Sequence, residues 1–244
     1  PIDPRAFHSL GDVYSSFDEV KSKMYWEMAM RRYSEKIESF NDSASEYLKR
    51  SENSEQPKIE SKDVFREVGQ CFYGLGEVHD NLHKYSHATD AYKKALKMDP
   101  THVDCLYDLA MSLFHEKKLE ESKKYLLEFL AKQSSYVGHY SLGLIFAGQG
   151  CIKEALGEFW NCIELTEEGS VSDYYRGISY HHLGNMKLAE KYLKLSIAKD
   201  PEDLGAIQTL IQLYESNGEG QKAYEYYEQI RAKKETLRSM RETM

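Results

Sequence analysis

Two stretches of this chain end an apolar, alanine-bearing helix pattern at an aspartate-proline pair, Asp99-Pro100 and Asp200-Pro201, and start a second apolar pattern within a few residues. In "YKKALKMDPTHVDCLYDLAMSLF", residues 92–114, the proline cannot continue the first helix, because it lacks the amide donor and biases its predecessor toward extended geometry. A helix, a stop and a helix that recur along a chain constrain its fold more tightly than composition does. A fixed period of about 20 to 50 residues marks a stack of like units. One frame runs Phe72, Leu75-Gly76, His79, Ala88, Tyr92, Ala95, Pro100. Three more are Leu142-Gly143, Phe146, Ala155, Phe159; Gly177, Tyr180, Ala189, Leu193, Pro201; and Leu210, Tyr214, Ala223, Tyr227. A degenerate one, Leu109-Ala110, Leu113, Ser122, Leu126, Phe129, lies between the first and second, and the frames recur at intervals of 33 or 34 residues.

These residues resemble the tetratricopeptide repeat, a helix-turn-helix unit of about 34 residues with the pattern W-x2-L-G-x2-Y…A-x3-F…A…P. The resemblance implies an all-α, right-handed superhelical solenoid with five units over about 69–102, 103–135, 136–169, 170–203 and 204–237, and a helix end at 238–244. The small residue of each first helix is expected to face the alanine of the second, so that the two backbones approach closely. Large residues one turn away fill the space between hairpins. A single hairpin buries too little apolar surface to be stable, and stacking supplies the missing contacts.

Residues 1–50 read as a degenerate, extended hairpin of the same kind, giving the solenoid a long N-terminal helical hairpin. Phe7, Leu10-Gly11 and Tyr14 match the first helix, and Ala29 with Tyr33 match the second, across a turn longer than a standard unit has. Ser16-x-x-Glu19 reads as a capping box that starts the second helix near residue 17. Tyr33, Ile37, Phe40, Ala44 and Tyr47 then form one helical stripe to about Arg50. This helix is expected to cap the repeats or to serve self-association. The polar, proline-containing run 51–63 is expected to be a flexible loop before the repeats begin at 64.

A net charge of −8 disfavours nucleic acid, which needs a basic stripe, and mean hydropathy of −0.65 suits a single-layer stack with a large surface. No 18-residue uncharged apolar run is present, so no membrane span is expected. Cys71, Cys105, Cys151 and Cys162 show no C-x-x-C pairing and read as reduced thiols in an intracellular, cytoplasmic setting. Phosphate-loop, nucleophile-elbow and zinc-protease motifs are absent. His181 and His182 are adjacent, hence about 100° apart on a helix, and cannot share a metal face. No enzyme, cofactor or metal is expected.

In the family that the chain resembles, positions 2, 5, 9 and 12 of each first helix point into a concave groove. Position 5 is Tyr73, Tyr107, Tyr140 and Tyr174, position 9 is Glu77, Met111, Leu144 and Ile178, and position 12 is Asp80, Phe114, Ala147 and His181. The resemblance therefore implies a non-enzymatic scaffold or adaptor, alone or as a module of something larger. Its partner would be a peptide or helical protein segment, apolar at the centre, with basic residues near Glu77, Asp80 and Asp104. Members that hold a chaperone's C-terminal carboxylate carry lysine, arginine and asparagine at positions 5 and 9. Their absence here disfavours a co-chaperone, and the neutral-to-acidic inner face disfavours an RNA-binding repeat protein.

Overall fold

The computed structural model describes residues 3–15, 18–51, 58–167, 169–201 and 203–242; among them the chain is all-α, with twelve helices and no strand. It divides into two units. Unit 1, Pro1–Gln133, holds α1 (Pro4–Ser15), α2 (Glu19–Ser51), α3 (Lys58–Asn81), α4 (Tyr85–Met98), α5 (Val103–His115) and α6 (Leu119–Lys132). Unit 2, Ser134–Met244, holds α7 (Tyr136–Gly148), α8 (Ile152–Leu165), α9 (Ser170–His182), α10 (Met186–Lys199), α11 (Leu204–Ser216) and α12 (Gly220–Glu242).

Consecutive pairs form hairpins, and every hairpin is closed by three residues. In the five links from α3–α4 to α11–α12 the middle residue is left-handed: His83 (φ 56), Lys117 (φ 64), Gly150 (φ 76), Gly184 (φ 76) and Gly218 (φ 75). That conformation lets the next amide reach back to the helix's end. Lys84 N–H donates to the His79 carbonyl (2.8 Å) while His83 N–H donates to Asp80 (2.8 Å), and Asn185 to Tyr180 (2.9 Å) repeats the bond in unit 2. These are Schellman bonds, which satisfy carbonyls that a helix leaves unpaired. After α4, the Asp99 carboxylate accepts from the Thr101 amide (3.0 Å) and hydroxyl (2.6 Å), which fixes the turn that Pro100 enforces.

The alanines are buried where expected, Ala88 and Ala189 at 0% and Ala155 and Ala223 at 2% exposure. The glycines meet a different partner from the expected one. A Cβ on Gly76 would lie 2.4 Å from the Tyr92 ring, on Gly143 2.7 Å from Phe159 and on Gly177 2.8 Å from Leu193. Each glycine thus accommodates the large residue one turn beyond the alanine, because that side chain leans back toward the helix N-terminus and across the hairpin. Two cores form in unit 1, one around Ala29, Tyr33, Ile37 and Val78, the other around Ala88, Tyr92, Leu109 and Leu113. Unit 2 has one around Leu193, Ile207, Leu210 and Tyr214.

At the N-terminus two expectations change. The α1–α2 link is no longer than the others, since α2 starts at Glu19, and Ser16 and Phe17 lie outside the described residues; the extra length is in the 33-residue α2. The run 51–63 is not loop throughout. Ser51 closes α2 and α3 begins at Lys58, while 52–57 lie outside the described residues. Pro57 is compatible with a helix that starts just after it, and no glycine or proline interrupts the sequence from there to Val68.

Candidate functional site

First helices of successive hairpins touch within each unit, α1 on α3 and α3 on α5, then α7 on α9 and α9 on α11. Ten of the eleven expected groove residues, Tyr73, Glu77, Asp80, Tyr107, Met111, Phe114, Tyr140, Leu144, Tyr174 and His181, are half-buried on these helices. Ile178 is the exception. At 4% exposure it belongs to the unit 2 core with Leu193, Ile207 and Leu210, so its side chain packs α9 and is withheld from a ligand.

In unit 1 the first helices bring together acidic, hydrogen-bonded side chains. The Tyr73 hydroxyl donates to Asp108 Oδ2 (2.8 Å), and its ring lies 4.4 Å from His102 and 5.8 Å from Tyr92. Asp80 accepts from the hydroxyls of Tyr92 (3.1 Å) and Ser112 (2.7 and 2.8 Å). His8 on α1 places Nδ1 3.9 Å from Glu77 and Nε2 3.7 Å from Asp12. Together His8, Asp12, Glu77, Asp80, Asn81, Tyr92 and Asp108 line a niche of about 320 Å³. No lysine or arginine is among these lining residues. Burial, and secondarily the charge of Asp108, raises Glu77 to about 7; burial raises Asp108 to about 6, even though Tyr73 donates to it. Burial raises Asp80 as well, and the two hydroxyls oppose the shift. Carboxylates whose proton affinity is raised by burial and by one another are a feature of functional clefts.

Unit 2 has the same tyrosines in aromatic company. Tyr140 lies 5.3 Å from Tyr175 and 5.7 Å from Phe159, and Tyr174 lies 5.4 Å from Tyr175. His182 stacks flat on Phe159 at 4.5 Å, and its Nε2 is 3.4 Å from the Tyr140 hydroxyl. Arg176 is occupied by Thr166, donating to its hydroxyl (2.9 Å) and carbonyl (2.8 Å), and sits 4.9 Å from the Tyr192 ring.

The sequence reading missed Asp12, Asp108, His8 and Asn81. Asp108 stands at position 6 of its helix, which the groove pattern of positions 2, 5, 9 and 12 leaves out. Among the described residues no group of three or more histidines, cysteines, aspartates or glutamates could hold a metal ion, and no helix is long and apolar enough to cross a membrane. Cys71, Cys105, Cys151 and Cys162 are all free thiols.

Six three-residue links, glycine contacts inside four of the hairpins, and first helices touching their neighbours define a helical-hairpin repeat protein. Models of the tetratricopeptide repeat match residues 69–102 and 91–124, so this stretch of the chain carries the repeat. It is 27% identical over 177 residues to a TPR repeat-containing protein of Methanocaldococcus jannaschii; the match covers 68% of this chain, which spans about 30% of the length of that relative. The fold is similar to a thermophilic TPR protein of Thermus thermophilus (TM-score 0.58, 20% identity, 69% of this chain and 98% of that one). A tetratricopeptide repeat protein of Parabacteroides merdae is also similar (TM-score 0.54, 16% identity, 94% and 79%). Stacks of this kind present extended surfaces for protein interaction.

Proposed function

We propose that the chain is a non-enzymatic adaptor, working in a reducing, intracellular setting, that receives a peptide or helical segment of a partner protein on the inner faces of its first helices. The observation that carries this reading is the half-burial of Tyr107, Met111, Phe114, Tyr140, Leu144 and Tyr174. Large side chains at these repeat positions keep part of their surface open, whereas those that serve the fold, such as Leu109, Leu142 and Leu210, are buried to 2% exposure or less. Partly open aromatic and aliphatic anchors supply most of an interface's energy when a partner covers them. The clustered carboxylates of unit 1, with no lysine or arginine lining their niche, favour basic residues in the stretch of partner that passes them.

The test replaces Phe114 with serine and Leu144 with glutamine together. Helix content by circular dichroism is expected to stay, while affinity for a partner captured by the intact chain falls by roughly 2 kcal/mol or more. Unchanged affinity would sink the inner-face reading. A second surface has an observation of its own, since α2 exposes Val20 (80%), Met24 (45%) and Met28 (40%) at four-residue spacing. This stripe supports self-association through the N-terminal hairpin. Sedimentation equilibrium of the Met24→Glu variant tests it, and a wild-type chain that stays monomeric at high concentration would end it.

A further inference from the structure

Unit 1 also holds a cleft of about 640 Å³, formed at the turn end of its first hairpins by α2, the α3–α4 link and α5. Glu19, Ser22, Trp26, Asp80, Tyr85 and His115 are among the residues that line it. Tyr85 and His115 stack nearly parallel, 4.5 Å apart with 16° between their planes. The Trp26 indole N–H donates to Asp12 Oδ1 (3.0 Å), which fixes the orientation of that ring. Asp80 lines both this cleft and the acidic niche, so the negative potential of Glu77, Asp108 and Asp12 adjoins it. Ser22 is 1% exposed, and its hydroxyl has no hydrogen-bond partner among the described residues. A buried hydroxyl left unpaired is costly, and it calls for a polar group that the cleft itself does not supply.

We propose that this cleft receives an arginine side chain of the bound partner segment, with the guanidinium against the Trp26 and Tyr85 rings and hydrogen-bonded to Asp80, Glu19 and the Ser22 hydroxyl. The inference rests on the inner-face reading for the segment and assigns the chemistry of one of its residues. A guanidinium is planar, weakly hydrated, rich in donors and devoid of acceptors, and it both stacks on aromatic faces and pairs with carboxylates. Both kinds of surface are on offer here, together with the unpaired Ser22 hydroxyl as an acceptor. Lysine's compact, strongly hydrated ammonium uses the carboxylates but gains little from the flat rings. An anionic group would meet Glu19 and Asp80, with Lys23 as the one lysine or arginine among the lining residues.

The experiment titrates the ¹⁵N-labelled chain with N-acetyl-arginine amide and, separately, with its lysine and citrulline counterparts. Saturable shifts of the Trp26 indole N–H and the Asn81 amide are expected with arginine. Citrulline, isosteric but neutral, should bind roughly tenfold more weakly, and raised salt should weaken arginine and lysine but not citrulline. Glu19→Gln, an exposed change on α2, should weaken arginine severalfold with the spectrum otherwise intact. Absence of saturation, equal binding of citrulline, or shifts confined to other residues overturns the proposal. Should arginine fail while the Phe114→Ser, Leu144→Gln double variant still loses the natural partner, the inner-face reading stands and the arginine site falls. The opposite pair of results keeps the cleft and removes the inner-face reading.

Discussion

Tyr73 in unit 1 and Tyr140 in unit 2 occupy the same position of their repeats and do different things. Each points at position 6 of the following first helix, which is Asp108 for Tyr73 and Tyr175 for Tyr140. One pair makes a 2.8 Å charged hydrogen bond, the other an edge-to-face aromatic contact at 5.3 Å. The repeat therefore fixes the direction of the side chain, and the residue it meets sets the chemistry. One set of side chains becomes an acidic niche and the other an aromatic cluster.

The largest expected effect falls on the aromatic side. Phe159 is 2% exposed, stacks on His182 and fills the space left by Gly143, so Phe159→Ala should cost about 3–5 kcal/mol in urea unfolding. A loss near that of an exposed substitution would mean the cluster is loosely packed and the contrast between the units is overstated.

On the acidic side the decisive variable is pH. Asp108 is raised from an ordinary 3.8 to about 6 in the folded chain, chiefly by burial, so the folded state binds this proton more tightly than the unfolded one. Its favourable contribution is complete below about pH 4 and is lost as pH climbs through about 6. Asp108→Asn should therefore stabilise the chain at pH 8 by on the order of 1–2 kcal/mol relative to its effect at pH 4. A pH-independent difference between variant and parent would show that the carboxylate is compensated after all.

Removing the other end of the same bond should matter less. Tyr73→Phe leaves Asp108 without its phenolic donor and is expected to cost about 1 kcal/mol, with Asp108 titrating higher when followed by carbon-detected NMR. If Asp108 does not move, the bond contributes nothing to holding its charge.

The smallest effect contrasts the hairpin links. Unit 2 uses glycine at each left-handed position, and unit 1 uses His83 and Lys117 in α3–α4 and α5–α6. Lys117 is exposed, so Lys117→Gly should stabilise by about 0.5–1 kcal/mol, whereas Gly184→Ala should lose a similar amount. Equal, opposite-signed shifts in thermal melts would support the comparison; a destabilised Lys117→Gly chain would refute it.

Much of the fold was legible because a repeat writes its geometry into sequence at a fixed period. Alanine at 88, 155, 189 and 223 marked the tight contact within four of the hairpins, and all four are buried to 2% exposure or less. The lines between elements were less legible at the N-terminus. Leu10 sits where Leu109 and Leu142 sit in their units, yet it is 39% exposed against 0% and 2%, because no earlier hairpin lies against it among the described residues.

The sequence by itself determined the helical hairpins, their period and the small residues that let helices close. All of these depend on neighbours within about 34 residues and on the 3.6-residue turn. Only the tertiary structure decided that each glycine receives an aromatic or leucine, that Ile178 is spent on the core, and that Glu77, Asp80 and Asp108 converge with His8 and Asp12 in one niche. Those outcomes depend on which side chain the next first helix brings across, and on how much water is excluded when it arrives. Periodicity assigns a face to each residue, and burial against a particular neighbour gives that face its charge.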